Sequence, residues 1–177
     1  MTIGLQQFER FLRGKLRDQL KKDLLKIRMV READLECCAY YHINRYLRRD
    51  DDWRLFARKH SRHTGHFIDL LVFHKAIPRV AIELKWHRAK ISQKDRQSLR
   101  RGIKRLRVNR SYFITTLIGA KEFQRIKKTT AEKHRLFEII IPLTLSVPEL
   151  KEWKERRRTY TSGMSRRRKR LRKHVAG

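Results

Sequence analysis

Cysteine is nearly absent from this chain: of 177 residues only Cys37 and Cys38 carry a thiol, and they are adjacent. Neighbouring cysteines inside a helical pattern, with no CxxC or Cys/His zinc spacing elsewhere, argue against a disulfide framework and against structural zinc. Long apolar runs are missing as well. No stretch approaches the roughly twenty consecutive apolar residues of a membrane span, and the first residues lack the apolar segment of a secretory signal. These absences lead us to expect an intracellular protein, cytoplasmic or nucleoid-associated, with no membrane partner. Acid is scarce too: 18 Asp and Glu stand against 47 Lys and Arg, a formal net charge of +29, with a sequence pI near 11.2. An excess of this size points to a polyanionic partner, nucleic acid above all. Charge names a partner and not a chemistry, since a basic scaffold protein of a ribonucleoprotein or chromosome would show the same excess. There is no internal repeat, and the length suits one domain with extensions.

What the chain does have is one apolar stretch that holds charge. From His66 to Trp86 the sequence reads HFIDLLVFHKAIPRVAIELKW. Two strands are expected, Phe67 to His74 and Arg79 to His87, joined by a short connection carrying Lys75 and Pro78, hence a β-hairpin. Because side chains alternate, Glu83 and Lys85 share one face of the second strand, and Val80, Ile82, Leu84 and Trp86 take the other. The antiparallel return brings Asp69 beside Glu83 and Lys85. Two carboxylates and a backbone carbonyl suit a hard divalent cation such as Mg²⁺, which takes few protein ligands and keeps waters for chemistry. The competing reading is an interstrand Glu–Lys or Asp–Lys ion pair on a solvated face.

The flanking segments set this hairpin in order. Residues 2–29 space Leu5, Phe8, Leu12, Leu16, Leu20, Leu24 and Ile27 three or four apart, an amphipathic helix in which Gly14 allows a break. Its stripe packs on the domain, with a homodimer contact as the alternative. A second helix is expected from Arg31 to Leu47, with Leu35, Ala39, His42, Ile43 and Tyr46 on one side and Glu32 within that arc; Glu36 lies at its edge. Asp50, Asp51 and Asp52 read as a solvated turn, and Trp53 to Lys59 as a first strand. His60, His63 and His66 recur every third residue without the geometry of a helical zinc pair. Ser92 with Asp95 resembles a capping box opening a helix to Leu106, whose exposed side carries Lys94, Arg96, Arg100, Arg101, Lys104 and Arg105, a phosphate-facing surface. Then come a strand at Ser111 to Gly119, a short helix from Ala120 to Lys128, a strand at Leu136 to Leu145, and a capped helix start at Ser146. From Lys154 the composition turns basic, with the block Arg166, Arg167, Arg168, Lys169 and Arg170, and residues 154–177 are expected to be a disordered, phosphate-binding tail.

Asp69, thirteen intervening residues and then Glu83-Leu84-Lys85 resembles the D-(x)n-E-x-K signature of the PD-(D/E)xK nuclease superfamily, with Ile68 in place of the proline of the name. The order of elements over residues 31–145 is similar to the αβββαβ core of the restriction-endonuclease-like fold, an α/β architecture with a central mixed sheet flanked by helices. The resemblance implies a Mg²⁺- or Mn²⁺-dependent nuclease acting on DNA rather than RNA. Asp69, Glu83 and the Leu84 carbonyl would bind the metal, and Lys85 would position or deprotonate water. Glu32 would be an accessory acid, with Glu36 in reserve, and Gln97 would orient substrate. Against these, Glu32 is also a first-turn acid complementing a helix dipole, and Gln97 is also an ordinary surface glutamine. Within the superfamily, small size and high basicity suggest a structure-selective enzyme similar to a Holliday-junction resolvase. The alternative class is a non-catalytic basic scaffold. Three segments are expected: an N-terminal helix at 1–30, a domain at 31–153 and the tail.

Overall fold

The computed structural model describes residues 2–61, 66–87, 92–119, 129–131 and 135–175. Helix α1 (Leu5–Phe11), a π-helical segment (Leu12–Leu16) and α2 (Arg17–Leu25) follow one another without a break. Gly14 therefore lies in a change of helical pitch. α2 ends earlier than expected, at Leu25, because Ile27 turns into the left-handed region with φ 56°. This conformation costs a β-branched residue on the order of 1–2 kcal/mol. It is fixed by the Arg28 amide donating to the Asp23 carbonyl at 2.9 Å and by Ile27 packing against the main core.

α3 (Glu32–Leu47) leads into β1 (Trp53–Ser61), β2 (His66–His74) and β3 (Ile77–Lys85). α4 (Gln93–Leu106), β4 (Arg110–Gly119), β5 (Thr129–Ala131), β6 (Leu136–Thr144) and α5 (Val147–Val175) complete the chain. The strands form one mixed six-stranded sheet in the order β1-β2-β3-β4-β6-β5. β1, β2 and β3 run antiparallel in sequence, β3 pairs parallel with β4 and β4 with β6, and short β5 closes the edge antiparallel. The expected succession of helix, three strands, helix and strand is present. The short β5 has no counterpart among the expected elements, and the helix expected at 120–128 lies outside the described residues.

Alternation along the strands divides the core. Val80, Ile82 and Leu84 of β3, Tyr112 and Ile114 of β4 and Ile139 and Ile141 of β6 join the buried stripe of the N-terminal helices, Phe8, Leu12, Leu16, Leu20 and Leu24, with Leu35, Ala39 and Ile43 of α3. On the opposite face Leu99 of α4 meets Phe113 and Leu136. β4 is buried at every position from Ser111 to Leu117, as a parallel strand covered on both faces must be. The N-terminal helices thus pack into the same core as the sheet, as their apolar stripe suggested.

The C-terminal expectation also changes. α5 is a single helix of 29 residues reaching through the basic block. Ser146 starts it: its Oγ bonds Glu149 Oε2 at 2.7 Å, and its amide bonds the same oxygen at 2.8 Å. Trp153 then anchors it, buried, with its indole N–H donating to the Leu24 carbonyl at 3.3 Å. Beyond that anchor the helix rests on local propensity, since Arg and Lys rank high among helix formers. No helix among the described residues is long and apolar enough to cross a membrane.

Candidate active site

The strands β2 and β3 pair as far as Leu70–Ile82, with Leu71 opposite Ala81 and Val72 opposite Val80. The ladder stops one step before Asp69 would face Glu83. Asp69 instead turns to the backbone, its Oδ2 accepting the Leu84 N–H at 2.8 Å. In a strand the N–H and C=O of one residue point to the same side, so the Leu84 carbonyl is directed to the side where Asp69 stands. Glu83 and Lys85 alternate out of the core that takes Ile82 and Leu84, as expected, and both are largely withdrawn from water, with side chains 13% and 19% exposed.

Lys85 is held by two acids. Its Nζ lies 2.9 Å from Glu83 Oε1 and 3.3 Å from Glu32 Oε1. Glu32 sits in the first turn of α3, and its second oxygen accepts the Trp86 N–H at 3.2 Å, which ties the start of that helix to the end of β3. Burial raises the Asp69 pKa; the Leu84 hydrogen bond and the Lys85 charge oppose it, while Glu36 and Glu32 add to the rise. Burial also pushes Glu83 up to about 7, with the neighbouring Asp69 charge as the next cause, in spite of its bond to Lys85. For Lys85 burial acts downward, but the hydrogen bond and charge of Glu83, with Asp69 and Glu32, outweigh it and the pKa is raised. Lys85 is therefore an ammonium across the physiological range. That charge suits the positioning and charge-neutralising role drawn from the sequence.

Three acids outside the strands bear on the pair. The charges of both candidate accessory acids, Glu36 and Glu32, raise Asp69, and Glu32 also contacts Lys85. Asp95 acts on Glu83, although its sequence signal is that of a helix cap alone. It does close that capping box: Ser92 is the cap, its Oγ accepting the Asp95 amide at 3.1 Å, and the Asp95 carboxylate accepts the Ser92 hydroxyl at 2.6 Å. Trp86 stands on the apolar face in the sequence pattern, yet the guanidinium of Arg157 lies 5.7 Å from its ring and 5.8 Å from that of Trp153. The base of α5 thus adjoins the residue that follows Lys85.

Other expected residues are placed elsewhere. Gln97 is exposed on α4, and among the described residues no contact joins it to the carboxylates. Arg96 is drawn to the sheet by Glu138, at 3.4 Å, and so is not a free phosphate contact. Lys94, Arg100, Arg101 and Lys104 are exposed on α4. The side chains of Arg105, Arg166, Arg167, Arg168, Lys169 and Arg170 lie outside the described ones, as do those of His60 and His66 and the whole of His63.

Among the described residues no three or more His, Cys, Asp or Glu are grouped to hold a metal ion. The donors that converge are two carboxylates and one main-chain carbonyl. Such a set fits Mg²⁺ or Mn²⁺, which use one or two carboxylates and complete their shell with water or substrate oxygen. Burial raises the pKa of both carboxylates, and the Asp69 charge adds to the rise of Glu83. Compared with protein-family models, with curated proteins and with solved structures, the chain matches none.

Proposed function

We propose that this chain is a divalent-cation-dependent nuclease hydrolysing DNA, built on a restriction-endonuclease-like αβββαβ core. The observation that carries the reading is the convergence of Asp69, Glu83 and the Leu84 backbone at the point where the β2–β3 ladder ends, with the Lys85 ammonium clamped beside them. A divalent cation held by Asp69, Glu83 and the Leu84 carbonyl would supply positive charge at a scissile phosphate and lower the pKa of a water. The chain's own residues do the rest. Lys85, held in place by Glu83 and Glu32, presents a fixed positive charge to the developing phosphate charge, a kind of stabilisation that needs no reorganisation during reaction. Glu32 locks β3 to α3 through Trp86 and Lys85, so the set keeps its geometry when substrate binds. Lys94, Arg100, Arg101 and Lys104 on α4 supply sequence-independent affinity for the phosphate backbone.

The test is incubation of the purified chain with branched, single-stranded and duplex DNA, with Mg²⁺ and with EDTA. Cleavage that requires the cation and disappears in Asp69→Ala and Glu83→Ala, with DNA binding retained, is the expected result. Cleavage by either variant at the wild-type rate would remove the site. One observation favours a second reading, a non-catalytic nucleic-acid scaffold: the 2.9 Å contact between Lys85 and Glu83 is also what a structural ion pair looks like. Binding without cation-dependent cleavage on all three substrates decides for it.

A further inference from the structure

Where α5 leaves the body of the domain, it and the turn after α2 enclose an open groove of about 1040 Å³. Its floor is Ile27, held there by its left-handed backbone, and its α5 wall includes Tyr160, which is 44% exposed. Lys26, Arg28 and Arg156 surround these two apolar groups, against one acid of the lining, Glu155. Arg28 is committed to Asp23 at 3.2 Å. Arg156 contacts Glu152 in an exposed pair one helical turn away, of the kind worth little and readily exchanged. Lys26 has no acidic partner among the described residues. The far end stays open, since a Cβ at Gly163 would meet nothing within 4 Å.

We propose that this groove seats a single strand of nucleic acid, with one base stacked on the Tyr160 ring and the flanking phosphates taken by Lys26 and Arg156. An aromatic ring set between cations is the recurring device for holding single strands, because every base has a face to stack and every linkage a charge. An apolar helix of a protein partner would meet three cations around only two apolar groups, a poor match. The position extends the nuclease reading, on whose nucleic-acid partner it rests. Arg157, stacked on Trp86, lies three residues before Tyr160, about 4.5 Å along the helix axis. A strand leaving the carboxylates past Trp86 therefore meets Tyr160 next, and the site selects substrates that carry an unpaired strand beside the scissile bond.

The experiment measures equilibrium binding of the full chain, in EDTA so that no cleavage intervenes, to fluorescein-labelled oligothymidine and to a duplex of the same length. Tyr160→Ala should weaken single-strand binding about tenfold and leave duplex binding within about twofold, while Tyr160→Phe keeps the wild-type affinity. Lys26→Ala, on a separate element, serves should Tyr160→Ala alter the melting temperature; it should reduce the slope of log K against log salt by about 0.7 on the single strand. Equal losses on both ligands, no loss on either, or a loss in Tyr160→Phe as large as in Tyr160→Ala would overturn the groove. So would a Tyr160-dependent dimer in sedimentation with unchanged single-strand affinity, which would seat a second copy of the chain there. Wild-type protein that binds neither oligonucleotide overturns the nucleic-acid reading and this one together. Wild-type binding with unaffected variants overturns this one alone.

Discussion

At Lys85, with Glu83 Oε1 at 2.9 Å and Glu32 Oε1 at 3.3 Å, a single substitution separates catalysis from structure. Lys85→Ala should still bind DNA, since one charge among 47 basic residues contributes little, but cleave about a hundredfold to a thousandfold more slowly. If the lysine serves only as a partner, its removal leaves buried carboxylate uncompensated, worth about 3–5 kcal/mol at full burial. The melting temperature would then fall while cleavage per folded molecule stays the same. Glu83 gives a second measurement, free of activity. Its folded pKa is raised from 4.5 to about 7, so the folded chain keeps a proton that the unfolded chain releases. The contribution of this group is whole below about pH 4.5 and is lost as the pH rises to 7, by about 3 kcal/mol in the metal-free protein. Glu83→Gln cannot ionise. In EDTA it should melt above the wild type at pH 8, and the advantage should vanish near pH 4.5; a lower melting point at pH 8 would show that the bond to Lys85 outweighs burial. Asp69, Glu83 and Lys85 were legible in the sequence because strand alternation and the antiparallel return are strict rules. The nearness of Asp95 to Glu83, and of Glu32 to Lys85, was not. Both depend on where helices lie over the sheet, which periodicity does not fix.

At the scale of elements, the β2–β3 hairpin shows how local geometry constrains the site. Its turn residues Lys75 and Ala76 have φ of 50° and 62°, the paired left-handed conformation of a two-residue hairpin that usually carries Asn-Gly. Ala76→Gly removes the Cβ that resists this conformation and should raise stability by about 1 kcal/mol, read as a shift of the denaturant midpoint at constant slope. A decrease would mean that the turn relaxes without cost. Pro78 lies in β3 where the register shifts between Val72 and Phe73, a bulge, which is one of the few places a strand tolerates proline. The hairpin was legible because alternation, length and the two apolar runs agreed. The helix across the basic block was not, because a run of like charge argues for disorder while the helix propensity of Arg and Lys argues the other way, and here propensity prevails. The early end of α2 had no signal either, since Ile27 continues the apolar spacing and only the tertiary packing shows it turning the corner.

For the whole molecule, the contacts that fix α5 to the domain lie near its start. Trp153 is buried, and Arg157 stacks on two tryptophans. A chain ending at Gly163 therefore keeps the whole of this anchor and omits Arg166, Arg167, Arg168, Lys169 and Arg170. Its melting temperature should match that of the full chain. Its duplex affinity should fall for all sequences alike, with the salt slope reduced by about 0.9 for each phosphate that is no longer neutralised. An unchanged slope would place that end of the helix off the nucleic acid.

The hydrogen bond from Trp153 to Leu24 spans 129 positions of the chain, and it sets an order in time. At a synthesis rate of about 5–20 residues per second, the first helices wait roughly 6–26 seconds for the tryptophan that closes over them. For most of that interval the apolar stripe of Phe8, Leu12, Leu16, Leu20 and Leu24 lacks β6, and to its end it lacks the α5 anchor. The first helices have α3, β3 and β4 to pack on while the chain is still growing, and the anchor of α5 is the last part of their cover to arrive.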